Sequence, residues 1–121
     1  MPSLLIVEDF DLIRNLLFDI FAGDYECATA ASAEEGLALL TARRFDVVIT
    51  DVKLPGMNGG ELLRAARARW PGLPVIIITG GFEGRQAEDF LRDGAFGYVL
   101  KPFTTEEIEE LTARAVEVAG A

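Results

Sequence analysis

The chain has 121 residues, half of them hydrophobic, with a net charge of −9, one cysteine and no histidine. That length suits one domain with one core, and that hydrophobicity excludes a disordered chain. The acid excess argues against a nucleic-acid-binding face, the missing histidines remove every histidine-based catalytic or metal site, and a lone cysteine leaves neither an internal disulfide nor a multi-cysteine metal site.

Leu4 to Val7 is a continuous aliphatic run, as expected for a strand covered on both faces. Met1-Pro2-Ser3 leads straight into it without the pattern of a signal peptide. Asp11 is the expected N-cap of the first helix, and Ile13, Leu16, Leu17, Ile20 and Phe21 have the spacing of one buried face. Gly23-Asp24 ends that helix, and Tyr25 to Ala30 is a weaker strand. Ser32 followed by Glu35 reads as a capping box, opening a helix that runs to about Arg44 and buries Gly36, Leu37 and Leu40. Cys27 reads as a small buried hydrophobe.

Phe45 to Thr50 is apolar enough for the centre of a sheet. Lys53 to Gly60 carries strong turn signals and is expected to be a loop. The segment Glu61 to Trp70 is helical, with Leu62, Leu63, Ala66 and Trp70 on one side. Val75 to Ile78 is the most β-branched strand. After Gly80-Gly81, a short helix over Arg85 to Arg92 buries Ala87 or Phe90 and Leu91, and Gly94 closes it. Ala95 to Leu100 is the fifth strand, and Thr104 or Thr105 caps a last helix from Glu106 to about Ala119. Strands and helices alternate strictly, which predicts a doubly wound α/β domain over 1–121, with five parallel strands, five helices and right-handed crossovers. No apolar stretch approaches the roughly 20 residues that span a membrane, so no membrane segment is expected and the cytoplasm is the expected compartment.

In such a fold the carboxyl ends of the strands line one crevice. Glu8-Asp9, Asp51, Thr79 and Lys101 all stand at those ends. Mg²⁺ prefers about six oxygens and keeps several waters beside one or two carboxylates. Asp9 and Asp51 can each give one oxygen, Glu8 can bind through a water, and the backbone carbonyl of Lys53 can supply another. Taken singly, Asp9 and Asp51 are better explained as caps of the loops after two strands; their alignment with Lys101 argues for a site. Asp51 suits a nucleophile toward phosphorus, forming an aspartyl phosphate. The Lys101 ammonium, the Thr79 hydroxyl and the Gly80 amide would meet the equatorial oxygens of the phosphoryl group. Lys101-Pro102 is a candidate cis bond that would turn the lysine back to the pocket, although a strand ending at a proline before a helix is the plain alternative.

These residues resemble the receiver domain of two-component response regulators, the CheY-like family, over the whole chain. The resemblance rests on Leu5-Ile6-Val7-Glu8-Asp9, on Thr50-Asp51-Val52-Lys53-Leu54-Pro55-Gly56-Met57-Asn58-Gly59, on Ile78-Thr79-Gly80 and on Lys101-Pro102-Phe103. It implies the flavodoxin-like strand order 2-1-3-4-5. It further implies that Asp51 accepts a phosphoryl group from a phosphohistidine of a sensor histidine kinase or histidine phosphotransfer protein. Mg²⁺ would sit on Glu8, Asp9, Asp51 and the Lys53 carbonyl, with Lys101 and Thr79 on the phosphate. Tyr98 matches the switch aromatic, which by residue type alone reads as an ordinary side chain of a half-buried edge strand.

The implied output is a changed surface on the fourth helix, fifth strand and fifth helix, read by a downstream protein target, with the loop from Gly80 to Gly84 as a moving part. Such a chain catalyses only its own phosphorylation and dephosphorylation, touches no nucleic acid directly, and is a monomer or a weak dimer through that surface. Three positions depart from the commonest pattern: Phe10 after the acidic pair, Lys53 two residues beyond Asp51, and Gly81 two beyond Thr79. In the family the last two positions influence phosphoryl lifetime.

Other classes fit less well. A haloacid-dehalogenase-like phosphatase carries an aspartate where Lys53 stands, and a nucleotide- or flavin-binding domain needs a glycine-rich cradle where Glu-Asp-Phe-Asp follows the first strand. A receiver acting as a phosphorylation-independent interaction module, and a receiver fragment of a longer regulator, remain as alternatives.

Overall fold

The computed structural model describes residues 1–80 and 84–120. The elements run β1 (Ser3–Val7), α1 (Asp11–Phe21), β2 (Glu26–Ala30), α2 (Ala33–Ala42), β3 (Val47–Asp51), α3 (Gly59–Arg69), β4 (Val75–Gly80), α4 (Gly84–Arg92), β5 (Gly97–Lys101) and α5 (Thr105–Gly120). All strand pairs are parallel, in the order β2-β1-β3-β4-β5. This is the flavodoxin-like arrangement, with β3 in the middle.

Alternation along each buried strand divides the core. Leu4, Ile6, Val47, Ile49, Ile76 and Ile78 face Leu17, Phe21, Ile108, Leu111 and Ala115 of α1 and α5. Leu5, Val7, Val48, Val75 and Ile77 face Leu40, Leu62, Leu63, Ala66 and Phe90 of α2, α3 and α4. Both faces are covered, so the strands are apolar throughout. Register then aligns the strand ends: Val7 pairs with Thr50, Asp51 with Ile78, and Gly80 with Lys101. Glu8, one residue beyond Val7, therefore comes level with Asp51.

Several local expectations are corrected. Phe10, not Asp11, occupies the N-cap of α1; Asp11 is the first helical residue, and its carboxylate is engaged by Arg14. Leu16 and Leu91 are exposed, because each lies on the solvent flank of a helix whose buried stripe is narrower than its apolar one. Ser32 accepts from the Glu35 amide at 3.1 Å, but the Glu35 carboxylate reaches the Ala31 amide rather than closing the box on Ser32. α2 stops at Ala42; Arg43 is extended, its guanidinium 4.5 Å from the Phe45 ring centroid. Cys27 is only half-buried, since β2 is an edge strand.

The largest correction concerns the loop after β3. Asn58 caps α3 in a complete capping box with Glu61, so Gly59 and Gly60 belong to the helix. Gly59 is there because its amide donates to the Val52 carbonyl at 2.9 Å and leaves no room for a side chain beside the Asp51 carbonyl. Thr104 caps α5, accepting from the Glu107 amide at 3.1 Å. Gly94 ends α4 at φ +103°, a conformation that favours glycine. Gly81 and the rest of the 81–83 stretch, which carried the departure at Gly81 and most of the moving loop, lie outside the described residues.

Candidate functional site

Asp51 ends the central strand almost wholly buried. Its side chain is held at both oxygens: the Val52 amide donates to Oδ1 at 2.8 Å, and Lys101 Nζ donates to Oδ2 at 3.1 Å. Its backbone carbonyl accepts from the Thr50 hydroxyl at 2.9 Å. Lys101 arrives from the end of β5 across β4, and its peptide bond to Pro102 is cis. The same ammonium lies 3.9 Å from Glu8 Oε1.

Glu8, Asp9 and Asp51 bring one carboxylate oxygen each within 4.8 Å of one another. Glu8 is 1% exposed, and neither of its carboxylate oxygens has a hydrogen-bond partner among the described residues. A buried carboxylate without donors is costly. Burial first, and then the neighbouring charge of Asp51, push the Glu8 carboxyl up to about 7, with Lys101 opposing them. Asp9, by contrast, is exposed. Orphaned buried oxygens in an all-carboxylate donor set fit a hard divalent cation, which would relieve both the burial cost and the mutual repulsion.

The remaining expected residues converge to different degrees. Asp51, Val52, Lys53, Gly80 and Lys101 line one cavity of about 180 Å³. A wider depression of about 580 Å³ adjoins it, lined by Asp9, Lys53, Leu54, Pro55, Gly56 and Asn58 among others. Thr79 stands at the end of β4, fully buried. Tyr98 sits half-buried in the edge strand β5 against the core on the α2–α4 face.

Two residues that the sequence did not single out shape this site. Arg14 turns back over the start of α1, donating from Nη1 to the Glu8 carbonyl at 3.0 Å and the Asp9 carbonyl at 3.5 Å. An acid and an arginine three residues apart at a helix start was the only signal. Glu34, in the first turn of α2, accepts from the Met57 amide at 3.0 Å. That bond holds its carboxyl below the usual carboxylate range and ties down the loop after Asp51. The pair is 23 residues apart, and no local pattern announces it.

Comparison with known proteins agrees with this geometry. The family model for the response regulator receiver domain matches residues 4–113. The chemotaxis protein CheY of Pseudomonas aeruginosa is 38% identical over 121 residues, covering 95% of this chain and 96% of that protein. The response regulator protein FleR of the same organism is 38% identical over 113 residues, 93% of this chain but 24% of FleR. The transcriptional regulatory protein AfsQ1 of Streptomyces coelicolor is 43% identical over 103 residues, 84% of this chain and 45% of AfsQ1. The chain thus spans 24% of the length of one of those two regulators and 45% of the other. A receiver domain protein from Clostridium thermocellum superimposes with a TM-score of 0.92 at 31% identity, covering 97% of this chain and 95% of that one. Matched along nearly its full length in sequence and in fold, with the carboxylates and the lysine gathered at the strand ends, the chain belongs to the response regulator receiver domain family of two-component signalling.

Proposed function

We propose that the chain is a phosphorylation switch in which Asp51 accepts a phosphoryl group from a phosphohistidine of a sensor histidine kinase or histidine phosphotransfer protein. The observation that carries the reading is the Asp51 carboxylate held between Lys101 Nζ at 3.1 Å and the oxygens of Glu8 and Asp9. In the transfer, an Asp51 carboxylate oxygen forms the new O–P bond as the N–P bond of the donor breaks, and the imidazole takes up a proton. Oδ1 is already engaged by the Val52 amide, so Oδ2 is the attacking oxygen, and Lys101 moves its ammonium from it to the incoming phosphoryl oxygens. The Thr79 hydroxyl and the Gly80 amide provide further donors at the end of β4.

Glu8, Asp9, Asp51 and the carbonyl of Lys53 would hold Mg²⁺, which when bound supplies positive charge that offsets the carboxylates and the developing phosphoryl charge. The chain has no turnover chemistry beyond its own phosphorylation and dephosphorylation. Thr79 moving toward the phosphate, with Tyr98 turning inward, would alter the α4-β5-α5 face. A phosphate shifts that equilibrium only by its differential contacts with the two states. A downstream protein reads the face, which also serves any weak dimer. The net charge of −9 supports a protein target over direct nucleic-acid contact. Among the described residues no helix is long and apolar enough to cross a membrane, and with this reading goes a cytoplasmic location.

The test is the intact mass after incubation with Mg²⁺ and acetyl phosphate, beside Asp51→Asn and a magnesium-free control. One added phosphoryl group, absent from both controls, is the expected result. No adduct, with beryllofluoride and Mg²⁺ also failing to bind, would leave a phosphorylation-independent interaction module.

A further inference from the structure

We propose that Arg14 is a positioning residue for the acidic pair: its guanidinium clamps the turn after β1 so that the carboxylates of Glu8 and Asp9 stay aimed at Asp51. The inference rests on reading Glu8, Asp9 and Asp51 as a cation site and goes beyond it by naming what holds that site in shape.

β1 ends at Val7, and the last sheet hydrogen bond on this stretch is the Glu8 amide to the Ala30 carbonyl at 3.0 Å. Beyond it the chain must run Glu8-Asp9-Phe10 before α1 begins at Asp11. The Phe10 N-cap makes no side-chain cap hydrogen bond, so that turn lacks the usual support at a helix start. Arg14 takes over that work. One guanidinium nitrogen meets the carbonyls of both Glu8 and Asp9, the other meets the Asp11 carboxylate, and the side chain is 19% exposed. A bare Arg–Asp pair on a helix surface would leave the arginine in solvent and would contribute little. Contacts reaching five and six residues back, to the peptide units that carry the two carboxylates, are of another kind.

The consequences are two. Fixing those peptide planes fixes the origin of the Glu8 and Asp9 side chains, as outer groups fix metal ligands generally. A guanidinium always carries its charge and has no acceptor, so Arg14 holds those carbonyls at every pH without competing as a metal ligand. Arg14 therefore acts through Glu8 and Asp9 and touches neither phosphate nor cation.

The experiment titrates Mn²⁺ alone, followed by electron paramagnetic resonance of the free ion, into wild-type, Arg14→Ala, Arg14→Lys and Asp11→Ala proteins without any phosphodonor. Loss of outer-shell support commonly weakens metal binding by 10- to 100-fold, so Arg14→Ala should raise the Mn²⁺ Kd by about tenfold. Arg14→Lys keeps a charged donor and should recover part of that loss. Asp11→Ala removes only the exposed ion pair and should stay near wild type. In amide spectra of the metal-free proteins, the Asp9 and Phe10 resonances should move in Arg14→Ala far more than in Asp11→Ala. Should Arg14→Ala fail to fold, Arg14→Gln carries the same expectation. A folded Arg14 variant binding Mn²⁺ as wild type does would overturn the role of Arg14 and leave the switch reading intact. Wild-type protein that does not bind Mn²⁺ would overturn the cation site, and the role of Arg14 with it.

Discussion

Glu8 allows a quantitative prediction. Its carboxyl is buried, lacks donors among the described residues and faces Asp51, and it is pushed from an ordinary 4.5 to about 7. The folded protein therefore binds a proton at Glu8 over a pH range where the unfolded chain has released it. With more protons on the folded side, unfolding free energy must fall as pH rises. The loss begins near 4.5 and is complete a little above 7. At about 1.4 kcal/mol for each pH unit between those values, it comes to about 3 kcal/mol, a large fraction of the roughly 5–15 kcal/mol that holds a domain of this size. The assay is urea unfolding in EDTA from pH 4.5 to 8, wild type beside Glu8→Gln. The wild-type curve should drop by about 3 kcal/mol relative to the variant, whose neutral amide has no proton to lose. Saturating Mg²⁺ at pH 8 should restore stability to wild type by binding the folded state alone, and should do much less for Glu8→Gln. Parallel pH curves for the two proteins in EDTA would refute the reasoning.

Three further outcomes follow from neighbouring contacts. A Cβ at Gly59 would lie 2.1 Å from the Asp51 carbonyl oxygen and 2.9 Å from the Val52 Cα, both backbone; Gly59→Ala should therefore cost about 3 kcal/mol, the upper end of overpacking penalties, and a loss under about 1 kcal/mol in urea unfolding would contradict the fit described. Because the Met57 amide lowers the Glu34 carboxyl, the tether it forms should persist above the ordinary 4.5 and be lost only as pH falls through a lower value. The Met57 amide resonance should report that midpoint and stop titrating in Glu34→Gln; a midpoint at or above 4.5 would be the wrong result. Lys53 lines both the cavity at Asp51 and the depression beside it. Lys53→Ala should speed loss of the phosphoryl group several-fold by opening the cavity to water, and an unchanged autodephosphorylation rate would dispose of that idea.

How much of this was legible in the sequence depends on the range of the interaction concerned. Leu4 to Val7, Val47 to Ile49 and Val75 to Ile78 are continuous apolar runs because both sheet faces are covered, and that cause acts on each strand separately. Since the strands could be read, so could their ends, and Glu8, Asp51, Thr79 and Lys101 fell into register without any knowledge of their contacts. Helix faces were read too widely. Leu16 and Leu91 fit the apolar spacing yet are 49% and 43% exposed, because spacing records which side chains are apolar and not how far a neighbouring element extends over them. Asn58-Gly59-Gly60 looked like a loop because glycine disfavours helix interiors. The demand that placed Gly59 in a helix, clearance beside the Asp51 carbonyl, comes from a strand end eight residues earlier.

The same distinction separates the residues of the site from the residues that hold it. The four groups at the strand ends inherit their positions from the sheet, so local patterns carry them. Arg14 and Glu34 are side chains reaching peptide groups of another segment, and their partners are Glu8 and Asp9 in one case and Met57 in the other. A backbone carbonyl or amide has no residue type, so such a contact leaves no trace at the partner's position and only an unremarkable charged residue at its own. Both contacts bear on the loops that flank Asp51, after β1 and after β3, where the sheet no longer dictates the path of the chain. In this fold the sheet brings the reactive groups to one end, and the exposed turns beyond it need their own fixings. Arg14 and Glu34 are therefore the positions where substitution should alter the site while leaving the core as it is.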